Sequence, residues 1–323
     1  MRLITILITL AGIAVSIATI FHEGARQILW ILSLAGWPIL LLAPLHVAAI
    51  GLDAKGWEQL LSGYDRRPGL TFLTWAAVIR DSIDALLPVV RVGGDFAGID
   101  MLCARGIALP ASAASVVAEV VITLIAQALF TLIGTVLLLA GGKPMPWIAS
   151  AVAGAMALSI PFALGVIAVQ RHVRVFGGLG RTVHYLFRLR LGAVEKVGRI
   201  DDELATLYRR YGILALSCLW ELAGLIVTGA EVWLALALMG HPVPPADALV
   251  IESFWQALRS IAFVVPAALG VQELGLVAFG SLVGLAPDVS LALSLAKRLR
   301  DVTVGVPALL SWLWFQARYL RHD

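Results

Sequence analysis

The sequence predicts an all-α integral membrane protein, with about six spanning helices plus two broken or re-entrant helix pairs in inverted pseudo-repeats. Hydrophobic residues make up 60% of the 323-residue chain, and the mean hydropathy is +0.92. The apolar residues form long continuous runs and do not alternate with polar ones, which favours helices over an outer-membrane barrel. Charged residues are only 14% of the chain, against about a quarter in soluble domains, and many of them fall in two interrupted apolar regions.

Each predicted spanning helix is a run long enough to cross a hydrocarbon core of ~30 Å at ~1.5 Å per residue. The six runs cover about residues 3–20, 28–50, 112–140, 146–169, 212–240 and 289–316. No small-x-small cleavage pattern follows the first run, so we predict that it is a retained helix and not a signal peptide. We predict that residues 1–323 form a single transmembrane domain.

The distribution of basic residues predicts the orientation of the chain. Nine lysines or arginines and four acids lie between Arg171 and Arg210, whereas the loops at 141–146 and 240–247 hold one lysine between them. Because cytoplasmic loops are enriched in lysine and arginine, we predict that residues 171–210 form a cytoplasmic amphipathic segment. The same rule predicts a multi-pass protein of the bacterial inner membrane with both termini in the cytoplasm.

The two interrupted regions, at about residues 70–110 and 246–286, are related by an internal repeat. A shift of 178 residues aligns them with eight identities, among them Pro88 with Pro266 and Gly106 with Gly284. We predict pseudo-repeat blocks at about 70–140 and 248–316. Three crossings separate the blocks, and an odd number inverts the second block relative to the first. Many transporters place their substrate site where such inverted, broken helices meet.

Ionisable residues at membrane depth cost at least ~2.5 kcal/mol each, so they need partners or water. Arg80 and Asp84 are four residues apart, as are Lys297 and Asp301, and this helical spacing predicts that each pair is self-neutralising. Glu252 and Gln256 have the same spacing. Glu231 lies beside Trp233 and is expected to be interfacial, and His46 is expected to be packed or interfacial. Tryptophans near predicted helix ends indicate an aromatic belt; these are Trp57, Trp147, Trp233 and Trp312.

An arginine lies near each broken helix, and its guanidinium suits a lipid phosphate or another oxyanion. Neighbouring glycines permit close backbone approach to a ligand. Two other interpretations remain open: Asp95 and Glu273 titrate and couple movement to protons, or Arg91 and Glu273 form an ion pair that holds the repeats together. The predicted substrate-binding or translocation residues are Arg91, Gly93, Gly94, Asp95, Glu119, Glu221, Glu252, Arg259, Pro266, Gln272, Glu273 and Lys297.

Motifs for soluble enzyme chemistry are absent from the sequence. There is no HExxH, GxSxG, Walker lysine or GxGxxG pattern, so we predict no catalytic residue, no metal site and no cofactor. Cys103 and Cys218 lie in apolar surroundings and are expected to be buried free thiols.

Two stretches carry a family resemblance: LLPVVRVGGDFAGIDML from Leu86 to Leu102, and ESFWQALRSIAFVVPAALGVQELGLVAFG from Glu252 to Gly280. With the continuation LALSLAKRLRD, they resemble the flippase-like membrane family found as the transmembrane region of lysylphosphatidylglycerol synthases, most closely its hopanoid-biosynthesis-associated branch. Ala267 stands where a glycine is more usual in the family. No soluble aminoacyl-transferring domain precedes Asp323, so lysyl transfer is not expected.

The resemblance implies a lipid flippase or transporter that moves a hopanoid or another polar lipid across the inner membrane. The alternatives are an intramembrane enzyme that modifies a lipid headgroup, with Glu119 or Asp95 as base, and a non-catalytic scaffold of a lipid-biosynthesis complex. The expected partners are membrane lipids, either hopanoid or anionic phospholipid, and no nucleic acid. A homodimer or a biosynthetic-complex partner is compatible with the sequence.

Overall fold

The computed structural model describes residues 35–64, 67–87, 93–142, 147–172, 191–261 and 271–319, and their regular structure is entirely helical. A short 3-10 helix, Trp37–Leu41, leads into the first α-helix. The α-helices are α1 (Leu42–Leu60), α2 (Leu70–Leu86), α3 (Gly93–Ala104), α4 (Leu109–Ala140), α5 (Trp147–His172), α6 (Leu191–Leu207), α7 (Tyr211–Leu238), α8 (Pro245–Ile261), α9 (Val271–Leu282) and α10 (Pro287–Tyr319). The prediction of an all-α membrane protein is confirmed.

Within the described residues, four helices are long and apolar enough to cross a membrane: Trp37–Leu60, Leu109–Ala140, Ala149–Arg171 and Tyr211–Leu238. The first of them ends later than the predicted run at 28–50, because the helix continues through Asp53, Lys55 and Glu58; residues 28–34 of that run lie outside the described residues. Helix α10 has 33 residues and is about 50 Å long, but it carries four charged residues between Lys297 and Asp301. The predicted run at 3–20 lies outside the described residues.

Helices α2 and α3 pack against each other in opposite directions, and we call this pair hairpin A. A Cβ at Gly98 would lie 2.7 Å from Arg80 Cδ, and one at Gly94 would lie 2.5 Å from the Arg80 carbonyl oxygen. Near the other end of the pair, the Arg105 guanidinium lies 4.3 Å from the Phe72 ring centroid. With 17 and 12 residues, the two helices are about 26 and 18 Å long. Both are shorter than a ~30 Å hydrocarbon core.

Helices α8 and α9 form the corresponding hairpin B. A Cβ at Gly275 would lie 2.7 Å from Leu258 Cδ2, and the Phe254 and Phe279 rings stack with centroids 5.5 Å apart. Helix α9 has 12 residues, like α3, and its first and last residues are each 178 positions after those of α3.

The turns that follow the two hairpins have the same backbone structure. Gly106 and Gly284 have positive φ angles of 82° and 85°, a conformation that glycine adopts without steric strain. The next residue closes each helix end with a backbone hydrogen bond: Ile107 N–H donates to Leu102 C=O at 3.2 Å, and Leu285 N–H donates to Gly280 C=O at 3.0 Å. The long helices α4 and α10 start immediately afterwards, so the two blocks share their order of helices and their turn.

The two hairpins enter the bundle from opposite ends. Helices α1 and α7 are antiparallel, since Gly56 lies against Ser217 and His46 lies against Glu231. The end of α1 lies beside the start of α7, where Arg210 donates to Ser62. We call this the basic end, because Arg171, Arg209 and Arg210 lie there.

Hairpin A opens towards the basic end, because its chain continues into the start of α4, where Ser115 accepts a hydrogen bond from Trp57 near the end of α1. Hairpin B opens towards the other end, because the chain passes directly from the end of α7 into α8, and Gly229 packs on Leu249.

The four tryptophans predicted to lie in an aromatic belt differ in how far they are exposed. Trp147 and Trp233 are 77% and 41% exposed, as expected for an aromatic belt, whereas Trp57 is 0% exposed and Trp312 is 6% exposed. The interfacial prediction is therefore wrong for Trp57 and Trp312, which pack in the apolar core of the basic-end half with Leu60, Ile79 and Leu309. Trp57 does lie in the last turn of α1, but its ring faces the bundle and its indole N–H donates to Ser115 of α4.

Candidate functional site

Arg80 is the centre of a buried ion cluster that joins four helices. Its Nη1 donates to Glu119 Oε2 on α4 at 2.6 Å, and its Nη2 donates to Asp95 Oδ1 on α3 at 2.8 Å. The guanidinium also lies 4.7 Å from the ring centroid of Trp57 on α1. The planar, five-donor guanidinium fork suits simultaneous contact with two carboxylates and an aromatic face. We call Arg80, Asp95 and Glu119 the Arg80 cluster.

Glycines at the start of α3 bring its backbone close to α2. Gly94 N–H donates to Asp84 Oδ1 at 3.2 Å, so Asp84 satisfies an amide of the first turn, where helices leave such donors unpaired. The predicted self-neutralising pair of Arg80 and Asp84 is therefore wrong, because both side chains bind α3 instead. Asp95 keeps 24% of its side chain exposed, against 9% for Glu119, so it is the more accessible carboxylate of the Arg80 cluster.

A second ion pair lies inside the other half of the molecule. Lys297 Nζ on α10 donates to Glu252 Oε2 on α8 at 2.8 Å, and Gln256 Nε2 donates to Glu252 Oε1 at 3.1 Å. The ammonium also lies 4.2 Å from the Trp255 ring centroid. The predicted contact of Glu252 with Gln256 is present. The predicted pair of Lys297 with Asp301 is wrong, since Lys297 binds across helices to Glu252 and Asp301 binds Arg300.

A third group of charges connects hairpin A with α10. His46 Nε2 lies 3.2 Å from Asp81 Oδ2, and His46 Nδ1 lies 3.4 Å from Glu231 Oε2. On the far side, Arg300 donates to both Glu231 and Asp301. Glu231 is 1% exposed, so its predicted interfacial position is wrong. The polar side chains of four helices meet here, which links the first repeat block to the second through α1 and α7.

Glu221 on α7 is 4% exposed, and its Oε2 accepts a hydrogen bond from Thr123 Oγ1 on α4 at 3.2 Å. Glu119 and Thr123 are one helical turn apart, so they lie on the same face of α4. The candidates Glu119 and Glu221 are therefore brought towards each other, whereas Glu252 and Lys297 form a separate pair in the other half.

The remaining predicted site residues are Arg91, Gly93, Arg259, Pro266, Gln272 and Glu273. Arg259 lies 5.6 Å from the Trp255 ring centroid and acts electrostatically on Asp81 of hairpin A, so the charges of the two hairpins reach each other. Gly93 starts α3. Arg91 and Pro266 lie outside the described residues, as do the side chains of Gln272 and Glu273. The suggested ion pair of Arg91 with Glu273 remains a prediction.

Several ionisable residues of these groups are not among the site residues predicted from the sequence: His46, Arg80, Asp81, Asp84, Glu231, Arg300 and Asp301. Arg300 lies in a segment that otherwise continues as helix, and an ionisable residue at membrane depth is itself the signal that could have found it. Arg80 was predicted only as part of a local pair with Asp84. Spacing along one helix does not show which partner on another helix lies closer.

A cavity of about 730 Å³ opens between α1, α2 and α10. Its walls are mainly apolar and include Pro44, Val78 and Pro307, with the hydroxyls of Thr71 and Thr74 among them. Neither Asp95 nor Arg259 lines it. Trp75, also in the wall, donates to Ser311 at 2.9 Å, which fixes α2 against α10 beside the opening.

Helix α6 is held to the basic end by two tyrosines. Tyr64 OH donates to Glu203 Oε2 at 2.7 Å, and Tyr208 OH donates to Gln170 Oε1 at 2.7 Å. Burial raises the pKa of both phenols above their ordinary value, and the hydrogen bond to Glu203 raises that of Tyr64 further. These hydrogen bonds fix the position of α6 relative to α1 and α5.

The fold and its buried charges define a multi-pass α-helical membrane protein with two short helical hairpins that enter from opposite ends. The chain belongs to the lysylphosphatidylglycerol synthase TM region family, whose model matches residues 3–308. The family gives the protein a membrane lipid-related function. No curated protein matches the chain, and neither does any solved structure. The described residues contain no group of three or more histidines, cysteines or acids placed to hold a metal ion.

Proposed function

We propose that this protein moves a polar lipid, a hopanoid or an anionic phospholipid, between the leaflets of the bacterial inner membrane. The observation that carries the proposal is the pair of helical hairpins that enter from opposite ends, each too short to cross, with charged residues buried beside them. Alternating access about such an inverted pair exposes one site to each side in turn. Membership of a lipid-related family supports the same conclusion.

The headgroup is proposed to bind between the two hairpins. Asp95 is the more exposed ligand of Arg80, and an anionic headgroup oxygen that replaced it would keep the guanidinium paired throughout. Arg259 approaches from hairpin B and acts on Asp81 of hairpin A, so it supplies a cation from the second repeat. A headgroup held by both arginines would release one as the hairpins move.

The apolar part of the lipid is proposed to lie in the cavity between α1, α2 and α10. Helix α2 contributes Thr71, Thr74 and Val78 to this cavity and carries Arg80 on another face. A lipid whose headgroup binds near Arg80 and whose hydrocarbon part lies along α2 would therefore contact both surfaces of one helix. Movement of α2 then acts on headgroup and tail together.

The orientation follows the proposal that the basic end faces the cytoplasm, with both chain termini on that side. Arg171, Arg209 and Arg210 then lie next to anionic headgroups of the inner leaflet, where each basic residue contributes about 1 kcal/mol of attraction. Helix α6 would rest at this surface.

Reconstituted vesicles provide the test. Purified protein is inserted into vesicles with a fluorescent phosphatidylglycerol or a fluorescent hopanoid, and arrival in the other leaflet is followed with a membrane-impermeant quencher. We expect Arg259→Gln and Arg80→Lys to reduce movement at least tenfold. The control is Arg105→Gln, which removes an exposed guanidinium that stacks on Phe72 at the open end of hairpin A, and we expect it to keep movement within twofold.

Mass spectrometry of the same lipids separates the rival functions. Lipid that moves and keeps its mass supports a transporter. A new lipid mass that depends on Asp95 or Glu119 would instead make the protein an enzyme. If the folded protein neither moves nor modifies any tested lipid, the result would favour the scaffold function over the other two.

A further inference from the structure

Helices α1 and α7 meet along a seam of small residues with an acid from each helix inside it. A Cβ at Gly56 would lie 3.3 Å from Ser217 Oγ, and a Cβ at Gly224 would overlap Asp53 Oδ1. Small residues let two membrane helices approach closely. Asp53 and Gly56 are three residues apart, as are Glu221 and Gly224, so each acid lies on the face of its helix that forms the seam.

Glu119 reaches the same place from α4. It lies one turn from Thr123, which donates to Glu221 Oε2 at 3.2 Å. The carboxylates of Asp53, Glu119 and Glu221 act on one another electrostatically. We call these three residues the acid triad; they come from α1, α4 and α7.

The charges around the acid triad do not balance. Arg80 already donates to Glu119 and Asp95, so one cation serves two carboxylates. Asp53 and Glu221 add two more, and neither forms an ion pair with a described residue. Arg80 also acts on Asp53 and Glu221 from a distance. The remaining charged groups that act on Asp53 are Asp81 and His46, and His46 itself lies between two carboxylates.

Two buried polar atoms at this seam have no hydrogen-bond partner among the described residues. They are Glu221 Oε1 and Ser217 Oγ, whose residues are 4% and 0% exposed. Glu221 and Ser217 are four residues apart and therefore share one face of α7. A buried carboxylate oxygen without donor or cation is strongly disfavoured, and such a group takes up a proton instead. A proton on Glu221 removes its charge and with it this cost.

We propose that Glu221, together with Asp53 and Glu119, binds a proton inside the bundle, and that this proton exchanges during the lipid movement proposed above. The site takes a hydrogen ion and not a metal ion, since it offers one unpaired carboxylate oxygen and a hydroxyl. The sequence suggested Asp95 and Glu273 for proton coupling. Asp95 is paired with Arg80 in the structure, whereas Asp53 and Glu221, at the seam between α1 and α7, form no ion pair with any residue that the structure describes.

The proton itself is tested on purified protein, without any transport. The infrared spectrum of the parent protein should contain the carbonyl stretch of a protonated carboxyl group, and this band should shift in heavy water. Glu221→Gln should remove the band. Glu58→Gln, on the same helix as Asp53 but paired with Lys55 at the surface, should leave it unchanged. If Glu221→Gln does not fold, Glu221→Asp should displace the band and not remove it. A parent spectrum with no such band would overturn the proposal, as would a band that survives in Glu221→Gln.

Coupling is tested in vesicles with a pH gradient. With one proton per lipid, a gradient of one pH unit shifts the distribution of lipid between leaflets by up to about tenfold, and Glu221→Gln should abolish this shift. If sodium replaces the proton in driving the parent, the acid triad is a sodium site and the proposal is wrong. If the infrared band is present but no lipid moves in any variant, the proton site stands and the proposed transport function fails.

Discussion

The pair formed by Glu252 and Lys297 makes a sharp prediction because both side chains are almost wholly buried. Their exposed fractions are 0% and 4%. Replacing Lys297 with methionine keeps most of the side-chain volume, but it removes the ammonium and leaves the Glu252 carboxylate with Gln256 as its side-chain hydrogen-bond donor among the described residues. An uncompensated buried charge of this kind destabilises a protein by about 3–5 kcal/mol.

The double replacement predicts the opposite result. Glu252→Gln with Lys297→Met removes both charges and keeps the volume, and exchange of a buried ion pair for neutral groups is commonly neutral or stabilising. We expect the double variant to lie within about 1.5 kcal/mol of the parent, since volume-conserving changes in a packed core have effects of that size. Adding Glu252→Gln should therefore restore the unfolding free energy that Lys297→Met removes.

Unfolding free energies are measured by titrating the protein from mild micelles into a denaturing detergent and following helix content. A Lys297→Met protein as stable as the parent would refute the reasoning. A double variant as unstable as the single variant would also refute it. Glu252 and Lys297 were both predicted to be translocation residues, so the double variant has a second use: if it is stable and still moves lipid, their function is structural.

Three further predictions test packing, docking and orientation. Gly134→Ala should destabilise the protein by about 1–3 kcal/mol, because its Cβ would overlap Ser253 on α8. Gly154→Ala meets nothing within 4 Å and should be neutral or slightly stabilising in the same titration, since alanine favours the helix more than glycine does. Tyr64 has a raised pKa, so its contribution to stability is present below the ordinary tyrosine pKa of ~10 and is lost as the pH rises through the raised value; an alkaline absorbance titration of Tyr64→Phe should lack one late-ionising phenol. A membrane-impermeant thiol reagent added outside cells should label His241→Cys but not a cysteine placed in α6, and the reverse pattern would invert the proposed topology.

The sequence was most informative where the signal is local or repeated. Continuous apolar runs predicted the spanning helices at 109–140, 149–171 and 211–238 to within a few residues, because lipid exposure makes the whole run apolar. The repeat offset of 178 also anticipated the matching turns at Gly106 and Gly284, since a positive φ angle strongly favours glycine. Both signals depend on properties that each segment carries by itself.

The pairing of charges was much less predictable. Helical spacing suggested Arg80 with Asp84, but spacing describes only one helix, and the Arg80 side chain extends to α3 and α4. Asp53 illustrates the same difficulty. Its carboxylate fits against α7 because Gly224, far along the chain, has no side chain. Which acids meet which bases depends on how helices pack, and that information is distributed over many weak contacts.

The contact between Glu231 and Arg300 has a consequence for how the protein is made. These partners are 69 residues apart, so at about 5–20 residues per second the ribosome needs roughly 4 to 14 s to reach Arg300 after Glu231. During that interval, the nascent chain holds a carboxylate in the bilayer interior without its arginine. Helix α7 therefore gains the arginine partner of Glu231 only after most of α8, α9 and α10 has been synthesised, and a chain interrupted before residue 300 lacks that partner. Helix α10, which is synthesised after the other described helices, therefore supplies the arginine that pairs with Glu231 on α7.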